Sequence, residues 1–216
     1  SGSNHVTGIS DRDANFGQDQ ILELKKVFYN QSFDYPTRVL VQFPISELSS
    51  SIASGDIPNI SAGSTKYFLR LYEAEGNKEL STEYKLAAFP LSQSWDEGIG
   101  SFDDNPKVTD GVSWENRNNK PNNSAVTWSK AFGSSSLGGA YYSSSNNWAT
   151  QSFSYESPDI NMDVTRIVYN MLTGSTSNSY IPNNGFLLKF SGSQETVNAS
   201  EETIYGNLKF FSAQTH

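Results

Sequence analysis

The stretch Lys66-Tyr67-Phe68-Leu69-Arg70-Leu71-Tyr72-Glu73 indicates most plainly how this chain folds. It is a short apolar run set between polar, turn-forming clusters, which is the pattern of a β-strand. Similar runs recur along the chain, and strong helix formers rarely repeat at a 3.6-residue period. The predicted strands are residues 20–27, 37–43, 66–73, 83–91, 127–130, 151–155, 185–190 and 203–211. Eight such strands predict an all-β fold, a β-sandwich of jelly-roll type.

One segment departs from the strand pattern. Over residues 163–172 the apolar side chains fall on one face of a helix, with Asp163 placed to cap its start and Gly174 to end it. We therefore expect one short α-helix at an edge or end of the sandwich. The weaker apolar spacing over residues 48–55 indicates a turn or a brief helix.

Composition limits the kinds of partner. The 216 residues include 15 Lys and Arg against 23 Asp and Glu, a net charge of −8, and no Cys. An acidic chain lacks the cations that bind a nucleic-acid backbone, so we expect no nucleic-acid partner. No apolar run approaches the roughly 20 residues of a membrane span, so we expect no membrane insertion. We expect one domain over residues 10–212, after a flexible or cloning-derived end at 1–9 and before a short end at 213–216.

The region 96–147 is rich in Asn, Ser, Gly and Asp, yet it contains several aromatic residues. Aromatic residues are unusual in a plain flexible linker, so we expect long, ordered loops. Flat aromatic faces beside polar groups suit carbohydrate or protein surfaces. Trp95 and Trp114 are more simply explained as core residues or loop anchors. The candidate ligand-binding residues are Tyr141, Tyr142, Trp148, Trp95, Trp114, Asn116 and Arg117.

The segment containing Asp11, Asp13 and Asn15 resembles a calcium loop that has one residue too many before Gly17. The extra residue breaks the ligand register, and a turn followed by a strand explains the segment more simply. Whether these three residues hold a structural calcium ion stays an open question at this point, and we expect no other cofactor.

The chain offers little for catalysis. His5 and His216 lie at the two ends, so a Ser-His-Asp arrangement would need both termini in one cleft. Glycoside hydrolysis needs two carboxyl groups at a defined separation, which nothing in the sequence fixes. We expect a protein that is not an enzyme. The carboxylates available to a polysaccharide-degrading enzyme are Asp96, Glu97, Asp103, Asp104 and Glu115.

A series of segments follows one another in a recognisable order: Asn15-Phe16-Gly17, residues 21–24, 38–43 and 67–72, Ser94-Trp95-Asp96-Glu97-Gly98, and residues 111–116, 159–165 and 183–189. Taken in this order, the segments resemble the DNRLRE family, and the likeness spans about residues 10–190. The resemblance implies a jelly-roll fold like those of growth-factor propeptides and carbohydrate-binding modules. The sequence departs from the family pattern at Ser113, where Thr is usual, and by a Ser-rich insertion over 118–147.

The tail Ile204-Tyr-Gly-Asn-Leu-Lys-Phe-Phe-Ser212 is similar to segments of virion structural proteins of tailed phages. The two resemblances imply a non-enzymatic structural or adhesive module of a virion, in capsid decoration or in the tail. The expected location is the virion surface, or alternatively outside a cell as a secreted protein. Its partners would be other virion proteins or further copies of itself. The alternatives are a carbohydrate-binding module that recognises a polysaccharide glycan through loop aromatics, and a polysaccharide-degrading enzyme.

Overall fold

The computed structural model describes residues 3–4, 9–10, 12–26, 36–58, 65–75, 83–129, 138–144, 147–153, 159–195 and 207–215. Most of the regular structure in this part of the chain is β-strand. In chain order, the strands are β1 (Ser3–Asn4), β2 (Ile9–Ser10), β3 (Ile21–Leu24), β4 (Val39–Val41), β5 (Phe68–Leu71), β6 (Tyr84–Pro90), β7 (Asn116–Asn118), β8 (Val126–Thr127), β9 (Ala149–Phe153), β10 (Ile160–Asp163), β11 (Phe186–Phe190) and β12 (Leu208–Phe211). The helices are α1 (Ile45–Ser54) and α2 (Thr165–Leu172).

Eight strands form two antiparallel sheets, here called the first and the second sheet. The second sheet consists of four strands in the order β4-β11-β6-β9. In the first sheet β12 pairs with β3 and β10 pairs with β5, and the Glu73–Phe210 bridge joins the two pairs into the order β3-β12-β5-β10. The pairs are nested along the chain, β6 with β9, β5 with β10, β4 with β11 and β3 with β12. This nesting is the connectivity of a jelly roll, so the predicted fold is confirmed.

The core between the sheets follows from the alternation of side chains along each strand. In β5, Leu69 and Leu71 are buried while Phe68 and Arg70 are exposed. From the second sheet Leu86, Leu188 and Phe190 meet them in the same cluster. All of these inward residues are 8% exposed or less, and their burial supplies most of the driving force for closing the sandwich.

Each of the eight predicted strands overlaps an observed strand. β8 and β9 begin before the predicted bounds of 127–130 and 151–155, and the other six observed strands lie within longer predictions. Residues 27, 130, 154–155 and 203–206 of these predictions lie outside the described residues. β10 was not predicted as a strand, because its sequence was taken with the helix that follows it. The short hairpin of β7 and β8 belongs to the loop region, and β7 was not predicted either. At the N-terminal end, which was expected to be flexible, Ser3–Asn4 pairs with Ile9–Ser10.

Both segments with helical spacing form helices, and the bounds of both differ from the prediction. α2 begins at Thr165, two residues after Asp163, because Asp163 still pairs with Phe68 as the last residue of β10. The Asp163 carboxylate nevertheless accepts a hydrogen bond from the Thr165 N–H (2.9 Å) and so stabilises the first turn. α1 is the brief helix that the weaker pattern allowed, and none of its residues is fully buried. Among the described residues, no helix is long and apolar enough to cross a membrane.

The two edges of the sandwich differ. At the β9–β10 edge, the Gln151 side chain accepts the Asn161 N–H (2.7 Å) and donates to the Asp159 carbonyl (3.1 Å), so it ties the two sheets together. At the β3–β4 edge, the described residues show a comparable tie at one end, where the Thr37 hydroxyl accepts the Lys25 N–H and donates to the Glu23 carbonyl. The remainder of that edge opens into a groove.

Candidate functional site

The outer face of the second sheet, here called the covered face, lies under the loops between β6 and β9. Leu40, Phe89 and Leu187 are neighbours across three strands and point outward from the core. A second, smaller core forms on them, with Trp128 and Tyr141 fully buried. The Trp128 indole also donates to the Ser113 carbonyl (3.1 Å), which fixes the loop layer on the sheet.

Asn15 ties the chain before β3 to these loops. Its side chain is completely buried, and its amide group donates to the carbonyls of Glu97 and Val112 (both 2.7 Å). Its oxygen accepts the N–H groups of Gly17 (3.1 Å) and Gly100 (2.8 Å). All four hydrogen-bonding positions of the amide are therefore used.

Glycine is required around Asn15. Gly98 and Gly111 both adopt positive φ, 83° and 100°. A Cβ at Gly98 would lie 2.5 Å from the Asn15 oxygen, well inside contact distance. Only a residue without a side chain lets the loop approach Asn15 this closely.

A buried ion network lies under the same loops. The Arg38 guanidinium binds both oxygens of Glu195 (2.6 and 3.1 Å), and Lys189 donates to the same carboxylate. These three side chains are each at most 11% exposed. Burial raises the pKa of the Glu195 carboxyl, but Arg38 and then Lys189 outweigh it and hold that pKa below its usual value. The Arg38 guanidinium also lies over the Trp114 ring, 4.8 Å from its centroid.

The structure separates the seven predicted ligand-binding residues. Tyr141 is 4% exposed, and Asn116 is buried in β7, so neither offers a face to a surface ligand. Tyr142 is half-buried, and that burial raises the pKa of its hydroxyl. Trp148 is 41% exposed and stacks on Phe89, 5.8 Å between ring centroids.

The three remaining predicted residues lie near the β3–β4 edge or in the loops beside it. The Trp95 indole donates to the Asn184 carbonyl (2.8 Å), and the Arg117 guanidinium donates to Ser94 (3.0 Å). Trp95 and Trp114 both line the groove, whereas Arg117 does not. The anchoring role expected for the two Trp residues is therefore observed together with partial exposure to the groove.

Of the three residues considered for a calcium ion, the structure places Asp13 and Asn15. The Asn15 oxygen is occupied by two N–H groups, Asp13 is exposed, and Asp11 lies outside the described residues. In the described part of the chain, no group of three or more His, Asp and Glu side chains could hold a metal ion. Asn15 was considered as a possible calcium ligand, and its side chain instead bonds four backbone groups.

The groove at the β3–β4 edge has a volume of about 1630 Å³. Its wall combines core-facing residues of the edge strands with aromatics from the loops, and Phe102 is 66% exposed. Burial raises the pKa of the Asp19 carboxyl in this groove, although the Phe102 N–H opposes the shift. Sequence reasoning missed most of the wall because its residues come from distant segments. These residues are Phe16, Leu22, Phe43, Phe102, Lys107 and Phe211.

The outer face of the first sheet, here called the bare face, carries exposed aromatics. Phe68, Tyr72 and Phe211 are 50%, 55% and 42% exposed. Phe211 lies opposite Ile21 in the ladder, and its N–H donates to the Tyr72 carbonyl (3.0 Å). Ile21, Phe211 and Tyr72 therefore form a row across three strands. Arg70 lies beside the row, with its guanidinium 5.5 Å from the centroid of the Tyr72 ring.

The carboxylates considered for catalysis are mostly tied to cations or to backbone. Glu115 pairs with Arg12 and Asp96 with Lys120, each at 3.5 Å, and Asp104 accepts the Ser101 N–H (2.6 Å). These contacts fix loop conformation. The other two carboxylates considered, Glu97 and Asp103, both line the groove. In comparisons with known proteins, no family model, no curated protein and no solved structure matched the chain.

Proposed function

We propose that the chain is a non-enzymatic structural or adhesive module of a tailed-phage virion, in capsid decoration or in the tail. The observation that carries the proposal is the bare face, where three large aromatic side chains are exposed on one rigid sheet. Exposed apolar patches of this kind mark interaction sites, and a rigid sheet presents them without a loss of conformational freedom.

Two further features support this proposal. The DNRLRE-like segments and the phage-like tail, residues 204–212, agree with a particle protein. The ion pairs of Glu115 and Asp96 agree with a non-enzymatic role, because those carboxylates serve as structural contacts. Aromatic residues with a charged rim are the usual anatomy of a protein interface.

The test is the protein composition of purified particles. Particles of the phage that encodes the chain are banded on a density gradient, and peptides of the chain are quantified by mass spectrometry against the major capsid protein. We expect a constant ratio in independent preparations, whereas a phage-encoded soluble enzyme serves as the control and is depleted. Presence in the infected lysate together with absence from banded particles would overturn the proposal.

A second candidate function, polysaccharide binding, is favoured by the groove. Trp95 and Trp114 line it together with Phe102, and aromatic faces in a cleft suit sugar rings. The test is binding of the purified chain to a polysaccharide panel. We expect Phe102→Ala to abolish binding if the groove is the site, and Trp148→Ala, which changes an exposed aromatic outside the groove, to leave it intact. The opposite result would move the site to the stacked Trp148.

A further inference from the structure

We propose that the groove at the β3–β4 edge receives an extended segment of a partner protein, which adds to β4 as a further strand. The segment alternates apolar and polar side chains, and Lys or Arg supply its charge. The inference goes beyond the proposed function, because it concerns the groove and not the bare face. It assigns the groove to a protein, whereas the second candidate function assigns it to a polysaccharide.

The walls of the groove are the edges of the two sheets. Residues 20–23 and 37–46 line it without interruption. Successive side chains of a strand point to opposite faces, so an unbroken lining means that the strand backbone itself borders the groove. Leu71 also lines it, although this core residue is only 8% exposed. The groove therefore reaches from the surface to the core between the sheets.

The hydrogen-bond pattern of the second sheet shows which backbone groups of β4 face the groove. The Leu91 N–H donates to the Gly185 carbonyl (3.0 Å), so the odd-numbered residues of β11 and of the turn before it bond toward β6. The even-numbered residues of β11 therefore bond to β4, at Val39 and Val41. Leu40, which lies between these two, directs its N–H and C=O toward the groove, where the described residues provide no partner for them.

On β3 the backbone groups that face β4 are partly occupied. The Thr37 hydroxyl accepts the Lys25 N–H (2.9 Å) and donates to the Glu23 carbonyl (2.8 Å), and the Thr37 N–H donates to the Lys25 carbonyl (2.9 Å). These bonds close the groove at that end. The edge of β4 is therefore the better template, because unpaired N–H and C=O groups of an edge strand pair readily with an added strand.

The apolar residues of the groove suit the inward side chains of such a strand. Leu22, Val41 and Ile45 are partly buried, pack against the main core cluster and line the groove. A strand beside β4 places every second side chain over them and so widens the core. The groove volume of about 1630 Å³ exceeds the roughly 300–1,000 Å³ of small-molecule pockets, so it fits a segment of a polymer.

The cations of the groove are already engaged. Four carboxylates and three cations line it in total. Lys25 pairs with Glu23, Arg38 belongs to the buried ion network, and Lys107 donates to a backbone carbonyl. These positive charges are therefore compensated within the chain. The titratable residues that line the groove are Asp19, Glu23, Glu97, Asp103, Lys25, Arg38 and Lys107.

The carboxylates of the groove are more available to a partner. Glu97 and Asp103 are exposed, and no described residue forms an ion pair with either of them. Asp19 is half-buried and accepts the Phe102 N–H (2.7 Å). The charges that the groove offers are therefore negative, like the net charge of −8 of the whole chain, and they favour a segment that carries Lys or Arg.

The experiment is calorimetric titration of the full chain with a synthetic peptide, acetyl-Lys-Val-Lys-Val-Thr-Val-Lys-amide, over about 1 to 1,000 µM. One control peptide has Glu in place of every Lys, and a second has the same composition with the three Val residues adjacent. We expect saturable one-to-one binding of the alternating Lys peptide. Both control peptides should bind at least about tenfold more weakly, because one lacks the charge and the other the alternation.

N-methylated peptides test the strand pairing itself. Consecutive residues of a strand direct their N–H groups to opposite sides, so only one alternate set of N–H groups can face β4. One peptide carries N-methyl groups at its odd-numbered positions and the other at its even-numbered positions. We expect one of the two to lose affinity at least about tenfold, because its hydrogen bonds to β4 are removed, and the other to bind within about twofold of the parent peptide.

The variant Asp103→Lys and its matched control Asp13→Lys locate the binding site. Both residues are exposed, but only Asp103 lines the groove. Each change alters the charge of the chain equally, and circular dichroism verifies folding. At about 0.05 M NaCl we expect Asp103→Lys to weaken binding of the alternating Lys peptide about fivefold, and Asp13→Lys to leave it within about twofold.

Three results reject the proposal. They are the absence of saturable binding of the alternating Lys peptide, an equal response to the two N-methylated peptides, and equal effects of Asp103→Lys and Asp13→Lys. Polysaccharide binding that depends on Phe102, in a chain that does not bind the peptide, gives the groove to the second candidate function. The particle composition experiment is independent of all these results, so a chain that is present in particles yet binds no peptide keeps the proposed function and loses this one.

Discussion

The two outer faces of the sandwich belong to one fold, but loops bury one of them and the other is exposed. Every residue of β11 is buried, including Lys189, because loops lie over the covered face. In β5, on the other sheet, burial alternates, and the outward residues Phe68 and Arg70 are exposed. A strand buried on both sides reads as an unbroken apolar run, and a strand with one solvent-facing side reads as an alternation. The sequence of a single strand therefore already carries information about what lies above the sheet.

The covered face also contains polar groups, and these are what hold its loops in place. Asn15 and the Arg38–Glu195–Lys189 network are buried and fully engaged, whereas the ion pairs of the bare face are exposed. Buried polar contacts are costly to break on one side only, and exposed pairs are nearly neutral. Substitutions at matched positions on the two faces should therefore differ by several kcal/mol.

The largest effect is expected from Asn15→Ala. The change leaves two carbonyls and two N–H groups without their partner, and we expect a loss of about 4 kcal/mol in the free energy of unfolding. All four Trp residues lie between positions 95 and 148, so Trp fluorescence reports on the loop layer, while circular dichroism reports on the sheets. In urea we expect the fluorescence transition to precede the dichroism transition in this variant.

The control for Asn15→Ala is Asn161→Ala, at an exposed position on the bare face. It should change stability by no more than about 0.5 kcal/mol. Equal losses in the two variants would show that Asn15 does not hold the loops.

The next effect comes from the ion pairs. Glu195→Gln removes the buried carboxylate charge that Arg38 and Lys189 both bind, and we expect a loss of about 3 kcal/mol. Glu75→Gln breaks the exposed pair with Lys209 and should cost less than about 0.5 kcal/mol. Urea unfolding at neutral pH measures both losses. A small loss for Glu195→Gln would mean that the network adds nothing beyond packing.

A pH dependence follows from the same carboxylate. The folded-state pKa of Glu195 lies below its usual value, so its stabilisation is complete above the ordinary carboxyl pKa of about 4.3 and disappears as pH falls through the lowered value. The stability difference between the wild type and Glu195→Gln should therefore be constant from pH 7 to about pH 5 and shrink below that. A difference that does not change down to pH 3 would contradict this assignment.

The smallest effect is expected on the bare face. Phe68→Thr keeps a strand-favouring residue at a half-exposed position, so stability should change by no more than about 0.5 kcal/mol. The same change at Phe89 removes ring contacts with Tyr141 and Trp148 and should cost about 2 kcal/mol. Thermal unfolding at low protein concentration measures both changes without interference from association. Equal losses would remove the distinction between the two faces.

Most strands of the sandwich could be predicted because each contains, within its own sequence, the apolar residues that it turns toward the core. β10 was not, because its four residues run directly into α2 and a strand followed at once by a helix looks like one helical segment. The aromatics of the long loops did indicate ordered loops. Which sheet those loops cover could not be deduced, since that is decided by contacts between segments far apart in the chain.

The site was less predictable than the fold. Asn15 was singled out for its spacing, yet its actual partners lie more than 80 residues away, apart from Gly17. Tyr141 was predicted to bind a ligand because of the Ser-, Gly- and Asn-rich segment around it, and its side chain is buried in the smaller core. The sequence indicates only part of the bare face, because the alternation in β5 places Phe68 and Tyr72 on the side of the strand that faces away from the core. Its third aromatic, Phe211, joins them only through the pairing of distant strands.

The position of β11 and β12 has a consequence for synthesis on the ribosome. Each is an inner strand of its sheet, flanked on both sides, yet they follow the other six sandwich strands in the chain. Before residue 186 emerges from the ribosome, the sandwich strands can form the β6–β9 and β5–β10 pairs, while β3 and β4 have no neighbour in either sheet. The strand edges that β11 and β12 will cover therefore stay unpaired until these two strands have emerged, and both sheets are completed together.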